Sequence, residues 1–98
     1  MNATRLLAVA LLGATIPILG AAAAEAPPGA TSCSGCHAAN AGVDSPVPRL
    51  VGRNAGELVA QMQAFRSGQR PATVMEQIAK GFSDAEVEAI AAWFAGQH

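Results

Sequence analysis

The chain has 98 residues, with six Lys and Arg against seven Asp and Glu, and a formal net charge of −1. This length allows a single domain. The near-neutral charge is uninformative about nucleic acid, but no basic patch of binding quality is present, so we expect no nucleic-acid partner. Hydrophobic residues make up 51% of the sequence, but alanine and an apolar N-terminal segment inflate that figure, so it does not indicate a large core.

The first 24 residues are typical of a secretory signal peptide. Arg5 is the single charged residue before a nearly continuous apolar stretch, Leu6–Leu19, and Ala22–Ala24 offers an A-x-A cleavage site. We therefore expect a signal peptide over residues 1–24, a mature domain over residues 25–98 and a periplasmic location. An uncleaved segment would instead be a membrane anchor, but glycines, a threonine and a proline interrupt the apolar stretch, which favours cleavage.

The mature domain contains the motif Cys33-Ser34-Gly35-Cys36-His37, which matches the C-x-x-C-H site of covalent haem attachment. Two thiols at this spacing lie on one helical turn and can form thioether bonds with both vinyl groups of a haem. The adjacent imidazole then becomes an axial ligand of the iron. A domain this small has a marginal core without such a group, so we expect the apoprotein to be largely unfolded.

Three other uses of the cysteines fit the sequence less well. A thioredoxin-like dithiol follows a strand, and no strand pattern precedes Cys33. Structural zinc needs four ligands, whereas only His37, directly beside Cys36, and the terminal His98 are left. A disulfide would close too short a loop to stabilise the chain much. One covalently attached haem c is therefore the preferred interpretation.

The first predicted element is a short, alanine-rich helix over residues 30–39 that carries the C-x-x-C-H motif. Glycine and proline then indicate an irregular loop over residues 40–52 and a second loop over residues 69–73. Apolar residues do not alternate with polar ones in any segment. We therefore expect an all-α fold.

Two longer helices are predicted from capping boxes. Asn54 with Glu57 begins a helix over residues 55–67, and Ser83 with Glu86 begins the last helix. Both helices carry apolar residues at helical spacing, which predicts one buried face on each. The predicted faces are Leu58, Val59, Met62 and Phe65 in the first helix and Val87, Ile90, Ala91 and Phe94 in the second.

An electron-transfer haem has a second axial ligand on the side of the iron opposite the histidine. A thioether in that position raises the reduction potential. Met62 lies on the apolar face of a predicted helix and is interpreted as a core residue. Met75 follows a proline-containing loop, on a segment free to lie across the haem opposite His37. We therefore predict His37 and Met75 as the ligands. His98 is a weaker alternative because chain ends fray.

Four segments carry a resemblance to a known family: residues 33–37, 48–52, 73–83 and 91–94. Together they resemble a class I cytochrome c. The third segment is similar to the haem domain of the cytochrome subunit of flavocytochrome c sulfide dehydrogenase and to related small periplasmic cytochromes. The resemblance extends over residues 32–97 and implies a small cytochrome c fold wrapped around one covalent haem.

The resemblance also implies roles for single residues. Cys33 and Cys36 would form the thioether bonds, while His37 and Met75 would be the axial ligands of the iron. The implied function is one-electron transfer without a catalytic residue, so we expect an electron carrier and not an enzyme. Redox proteins are the expected partners, and a membrane is expected only if the apolar segment stays uncleaved.

Further roles follow from the same resemblance. Pro48 would accept a hydrogen bond from His37 through its carbonyl, with Pro46 as the competing candidate, and Leu50 would line the haem pocket. The sequence departs from the family pattern before Cys33, where the leader is too short and too rich in proline for the usual long first helix. This departure makes a more open haem edge, or one covered by a partner, the expectation.

Two functions stay open at this point. The first is a freely diffusing electron carrier. The second is the haem subunit of an enzyme complex, for which the resemblance implies a sulfide-oxidising flavoprotein as the partner. An apolar rim around the haem edge would favour a stable complex, whereas a charged rim would favour brief encounters.

Overall fold

A computed structural model of the protein describes residues 13–14, 16–17 and 24–98. This part of the chain contains four helices and no strand: α1 (Ala30–Cys33), α2 (Ala55–Ser67), α3 (Met75–Lys80) and α4 (Asp84–Ala95). The predicted all-α fold class is confirmed. The predicted signal peptide lies almost entirely outside the described residues. None of the four helices is long and apolar enough to cross a membrane.

The two long helices begin at the residues predicted from the capping boxes. Asn54 accepts a hydrogen bond from the backbone N–H of Glu57 at 3.0 Å, and Ser83 accepts one from that of Glu86 at 3.2 Å. Each bond satisfies an N–H group that has no partner inside its helix. Gly68 ends α2 in the left-handed region, with a φ of 78°, as glycine commonly does at this position.

The helix α1 is shorter than predicted, since it ends at Cys33 and not near residue 39. Beyond it the backbone tightens into turns: the N–H of Gly35 donates to Ser32 at 3.2 Å, and those of Cys36 and His37 donate to Cys33 at 3.2 and 2.9 Å. Glycine has a low helix propensity, and Gly35 is the second residue after the end of the helix. The prediction of a helix over residues 30–39 is therefore wrong beyond Cys33.

The helix α3 was not predicted, since the sequence indicated only that the segment of Met75 is free to lie across the haem. It has only six residues and no side-chain cap at its N-terminus, and an isolated helix of this length is unstable in water. Its contacts are mainly with α2. Tertiary packing therefore forms this helix, and Met75 is its first residue.

A small core lies where α1, α2 and α4 meet. It consists of Ala30, Leu58, Ala91 and Phe94, each at most 6% exposed. The Trp93 ring packs edge-on against Phe94 with a centroid separation of 4.8 Å, a favourable aromatic geometry. The short leader therefore still allows α1 to pack against α4.

The loop before α2 is attached to α4 by a backbone hydrogen bond. The N–H of Gly52 donates to the carbonyl oxygen of Phe94 at 2.9 Å. Gly52 has a φ of 75°, which glycine adopts without the steric cost that other residues meet. This bond attaches the end of the loop that carries Pro48 and Leu50 to α4.

Gly29 precedes α1 and lies against an aromatic ring from the α3–α4 turn. Its φ is 89°, and a Cβ at this position would lie 2.6 Å from a ring carbon of Phe82. Gly68 also has a positive φ, but a Cβ there would meet no atom within 4 Å. Both glycines thus adopt a positive φ, but only Gly29 also lies so close to the Phe82 ring that a Cβ would overlap with it.

We predict that Gly29→Ala lowers the free energy of unfolding by about 3 kcal/mol, since left-handed strain and overlap with Phe82 add together. Gly68→Ala is the matched control and should cost only about 1 kcal/mol, from the backbone strain alone. Urea unfolding of both purified holoprotein variants measures the difference. Equal losses would show that the Phe82 ring moves aside without cost.

Candidate cofactor site

An open cavity of about 820 Å³ lies among the helices and is lined by residues from all four of them and from the loop at residues 46–50. Pockets for small molecules and cofactors measure roughly 300–1,000 Å³ and have mainly apolar walls with a few polar groups. All six predicted site residues line this one cavity: Cys33, Cys36, His37, Pro48, Leu50 and Met75.

The two cysteines lie at one edge of the cavity. Cys33 ends α1 and is half-buried, whereas Cys36 lies in the following turn and is exposed, and both are free thiols. Burial raises the pKa of the Cys33 thiol above its usual value, and a backbone hydrogen bond partly opposes this. A catalytic dithiol needs a lowered pKa, so this geometry does not favour the thioredoxin-like interpretation.

The His37 ring is oriented by a hydrogen bond of 2.6 Å between its Nδ1 and the carbonyl oxygen of Pro48. A carbonyl oxygen can only accept, so Nδ1 carries the proton and donates it. The unprotonated Nε2 is then available as a metal ligand, and such a bond to the other nitrogen fixes the ring and raises ligand basicity. Pro46, the competing candidate, lines the cavity too, but the bond is made with Pro48.

Both candidate methionines line the cavity. Met75 reaches it from the start of α3 and Met62 from the middle of α2, and both residues are half-buried. The location of Met62 differs from the prediction, which placed it in the core. The terminal His98 is exposed and does not line the cavity.

Two arginines that the sequence analysis did not assign to the site also line the cavity: Arg53, before α2, and Arg70, after it. Arg53 lies 3.7 Å from Glu57. The Arg70 guanidinium stacks over the Phe65 ring at 4.9 Å from its centroid, a cation–π contact.

These residues fit a haem. Paired thiols lie at one edge of the cavity, an imidazole has a free Nε2, thioethers are within the same cavity, and its walls are mainly apolar. Nitrogen and sulfur donors of this kind are the axial ligands of haem iron. In the described part of the chain, no three His, Cys, Asp or Glu side chains are grouped so as to hold another metal ion.

Comparison with known proteins gives relatives of one kind. The chain is 42% identical over 93 residues to the thiosulfate dehydrogenase electron acceptor of Thiomonas intermedia (strain K12), which is 92% of this chain and 42% of that protein. It is 33% identical over 63 residues to the cytochrome subunit of sulfide dehydrogenase of Chlorobaculum tepidum, which is 64% of this chain and 57% of that protein. No protein-family model matches the chain.

A third relative resembles the chain over most of its own length. Cytochrome c-554(548) of Halomonas halodenitrificans is 36% identical over 70 residues, which is 67% of this chain and 84% of that protein. The chain belongs to the small class I c-type cytochromes. By contrast, it spans less than half of the length of the Thiomonas protein.

Membership of this family establishes the coarse function. C-type cytochromes bind haem c covalently and transfer electrons, and the relatives are named as cytochromes or electron acceptors. The predicted class of electron-transfer cytochrome is therefore confirmed for this chain. Proteins of this family are typically exported.

Proposed function

We propose that this chain is a periplasmic mono-haem cytochrome that carries one electron at a time. The observation that carries the proposal is the single cavity in which all six predicted site residues meet. When bound, the haem supplies an iron that alternates between the ferric and ferrous states. The signal peptide over residues 1–24 and the haem domain over residues 25–98 belong to the same proposal.

The chain's own residues would hold the cofactor from two sides. Cys33 and Cys36 would form the thioether bonds, and His37 would bind the iron through Nε2, since its Nδ1 is engaged by Pro48. Met75 would supply the second axial ligand through its sulfur. Leu50 would contribute apolar wall between these groups.

The two cavity arginines would face the carboxylate groups of the haem. Burying a carboxylate without a partner is costly, and arginine donates two parallel hydrogen bonds to a carboxylate. Arg70 has a guanidinium already held over Phe65. Arg53 makes only a long contact with Glu57, so its donors are also available.

The first test of the proposal is the intact mass of the exported holoprotein. We expect the mass of residues 25–98 plus one haem, retained after denaturation and acid extraction, because thioether bonds survive unfolding. Cys33→Ala together with Cys36→Ala should abolish retention. Haem that extracts from the wild type would contradict covalent attachment, and a mass that includes residues 1–24 would show that the apolar segment is an anchor.

The second test distinguishes the two methionines. Met75→Ala should abolish the weak red absorption band of thioether-bound ferric haem and lower the reduction potential. Met62→Ala is the control from the same cavity and should mainly lower stability, by about 2 kcal/mol for a half-buried methionine. Loss of the band in the Met62 variant alone would assign the ligand role to Met62.

The partner that we propose is a dehydrogenase of inorganic sulfur compounds, with a sulfide-oxidising flavoprotein as the specific candidate. The names of two relatives support this class, one being an electron acceptor of thiosulfate dehydrogenase and one a subunit of sulfide dehydrogenase. Two exposed apolar residues at the cavity, Val74 (64% exposed) and Ile78 (38% exposed), would form part of the docking surface. Apolar contact at the haem edge would favour a stable complex.

The partner is tested by stopped-flow reduction of the ferric protein by sulfide with the flavoprotein, and by thiosulfate with thiosulfate dehydrogenase. We expect rapid reduction by the flavoprotein and co-elution in gel filtration, with an interface of at least roughly 1,000 Å². Val74→Asp should slow reduction, whereas Val43→Asp, at an exposed valine outside the cavity lining, should not. Slow reduction and separate elution in both systems would leave a carrier for other redox enzymes.

A further inference from the structure

The Arg66 side chain connects α2 to the segment that follows Met75. Its Nε donates to the carbonyl oxygen of Ala79 at 3.3 Å, its Nη2 to that of Phe82 at 2.7 Å, and its Nη1 to the Asp84 carboxylate at 2.5 Å. One planar guanidinium thus binds the last turn of α3, the following turn and the first residue of α4.

The two carbonyl contacts are the important ones. The last four carbonyls of a helix have no partner inside it, and Ala79, in the last turn of α3, is fully buried. The Asp84 side chain is 71% exposed, so its ion pair with Arg66 contributes little. Only arginine offers several donors in a rigid fork that reaches three acceptors at once.

These contacts add to the packing that holds α3 against α2. The helix has six residues and no side-chain cap at its N-terminal end, where Val74 is largely exposed. At the opposite end, Arg66 attaches it to α2. Arg66 does not line the cavity, whereas Met75, at the start of the same helix, does.

We propose that Arg66 is the positioning residue for Met75: by attaching the C-terminal end of α3 to α2, it keeps the Met75 sulfur in the cavity opposite His37. This inference rests on the proposed ligand role of Met75. A loosened α3 lets the sulfur leave more often, and an external ligand then competes more successfully for the vacated position.

The experiment is a titration of the ferric holoprotein with imidazole, followed by loss of the red thioether band. Arg66→Gln and Arg66→Lys should each bind imidazole about tenfold more tightly than the wild type, the equivalent of one lost charge-assisted hydrogen bond. Arg66→Lys keeps the positive charge but loses the planar, multiply donating guanidinium. It provides the comparison with the wild type if Arg66→Gln does not accumulate. Asp84→Asn should change the affinity much less, because both carbonyl contacts persist.

The matched control is Lys80→Gln, which breaks the exposed ion pair between Lys80 and Glu76 within α3 (3.3 Å) but leaves the attachment to α2 intact. Its imidazole affinity should equal that of the wild type. Unchanged affinity in both Arg66 variants, with the red band absent from Met75→Ala, would overturn the positioning role and leave the ligand assignment standing. A Met75→Ala variant that keeps the red band would instead overturn the ligand assignment itself.

Discussion

The structure depends on one constraint: the described part of the chain has too few buried side chains to form an independent core. Only Ala30, Leu58, Ala79, Val87, Ala91 and Phe94 are buried, and three of these are alanines. Four of the six, Leu58, Val87, Ala91 and Phe94, also line the cavity. The core is therefore one wall of the cofactor site, and filling the cavity with an apolar group would complete it. Stability and cofactor attachment are consequently expected to be linked.

The two sides of the cavity are built in different ways. On the His37 side, the ring is oriented by the Pro48 carbonyl, and the loop that carries Pro48 is attached to α4 through the bond between Gly52 and Phe94. Both are short hydrogen bonds to backbone carbonyl oxygens. On the Met75 side, a six-residue helix depends on packing and on one arginine side chain. A six-residue helix is unstable by itself, so local opening is expected at the proposed ligand Met75 before the proposed ligand His37.

Sequence reasoning succeeded where the determinants were local. The helix ends at Asn54, Gly68 and Ser83 follow from residues within four positions of each, so the capping patterns predicted them. The C-x-x-C-H motif likewise predicts haem attachment from five consecutive residues alone. By contrast, α3 exists because of contacts with α2, and no propensity calculation over six residues could have identified it. The length of α1 was overestimated because the turn at Gly35 outweighs the surrounding alanines.

In the candidate site, too, the features set by neighbouring residues were predicted and those set by contacts across the fold were not. The resemblance identified the residues that would bind the iron, and all of them meet at the cavity, but their roles stay predictions until the variants are measured. The arginines were missed because their roles depend on what lies across the fold. Arg66 binds residues 13 to 18 positions away, and Arg70 acquires its place through the Phe65 ring. Neither relationship has a fixed sequence spacing.

The helix α3 combines two properties that are usually separate. It begins with the proposed sulfur ligand. Two exposed apolar residues, Val74 just before the helix and Ile78 within it, line the cavity beside that ligand. A partner that docks there would contact the same short element that carries the proposed sulfur ligand. Substitutions on this surface can therefore change the reduction potential as well as the docking rate. Rates measured for the Val74 variant separate the two effects only when its red absorption band and its potential match those of the wild type.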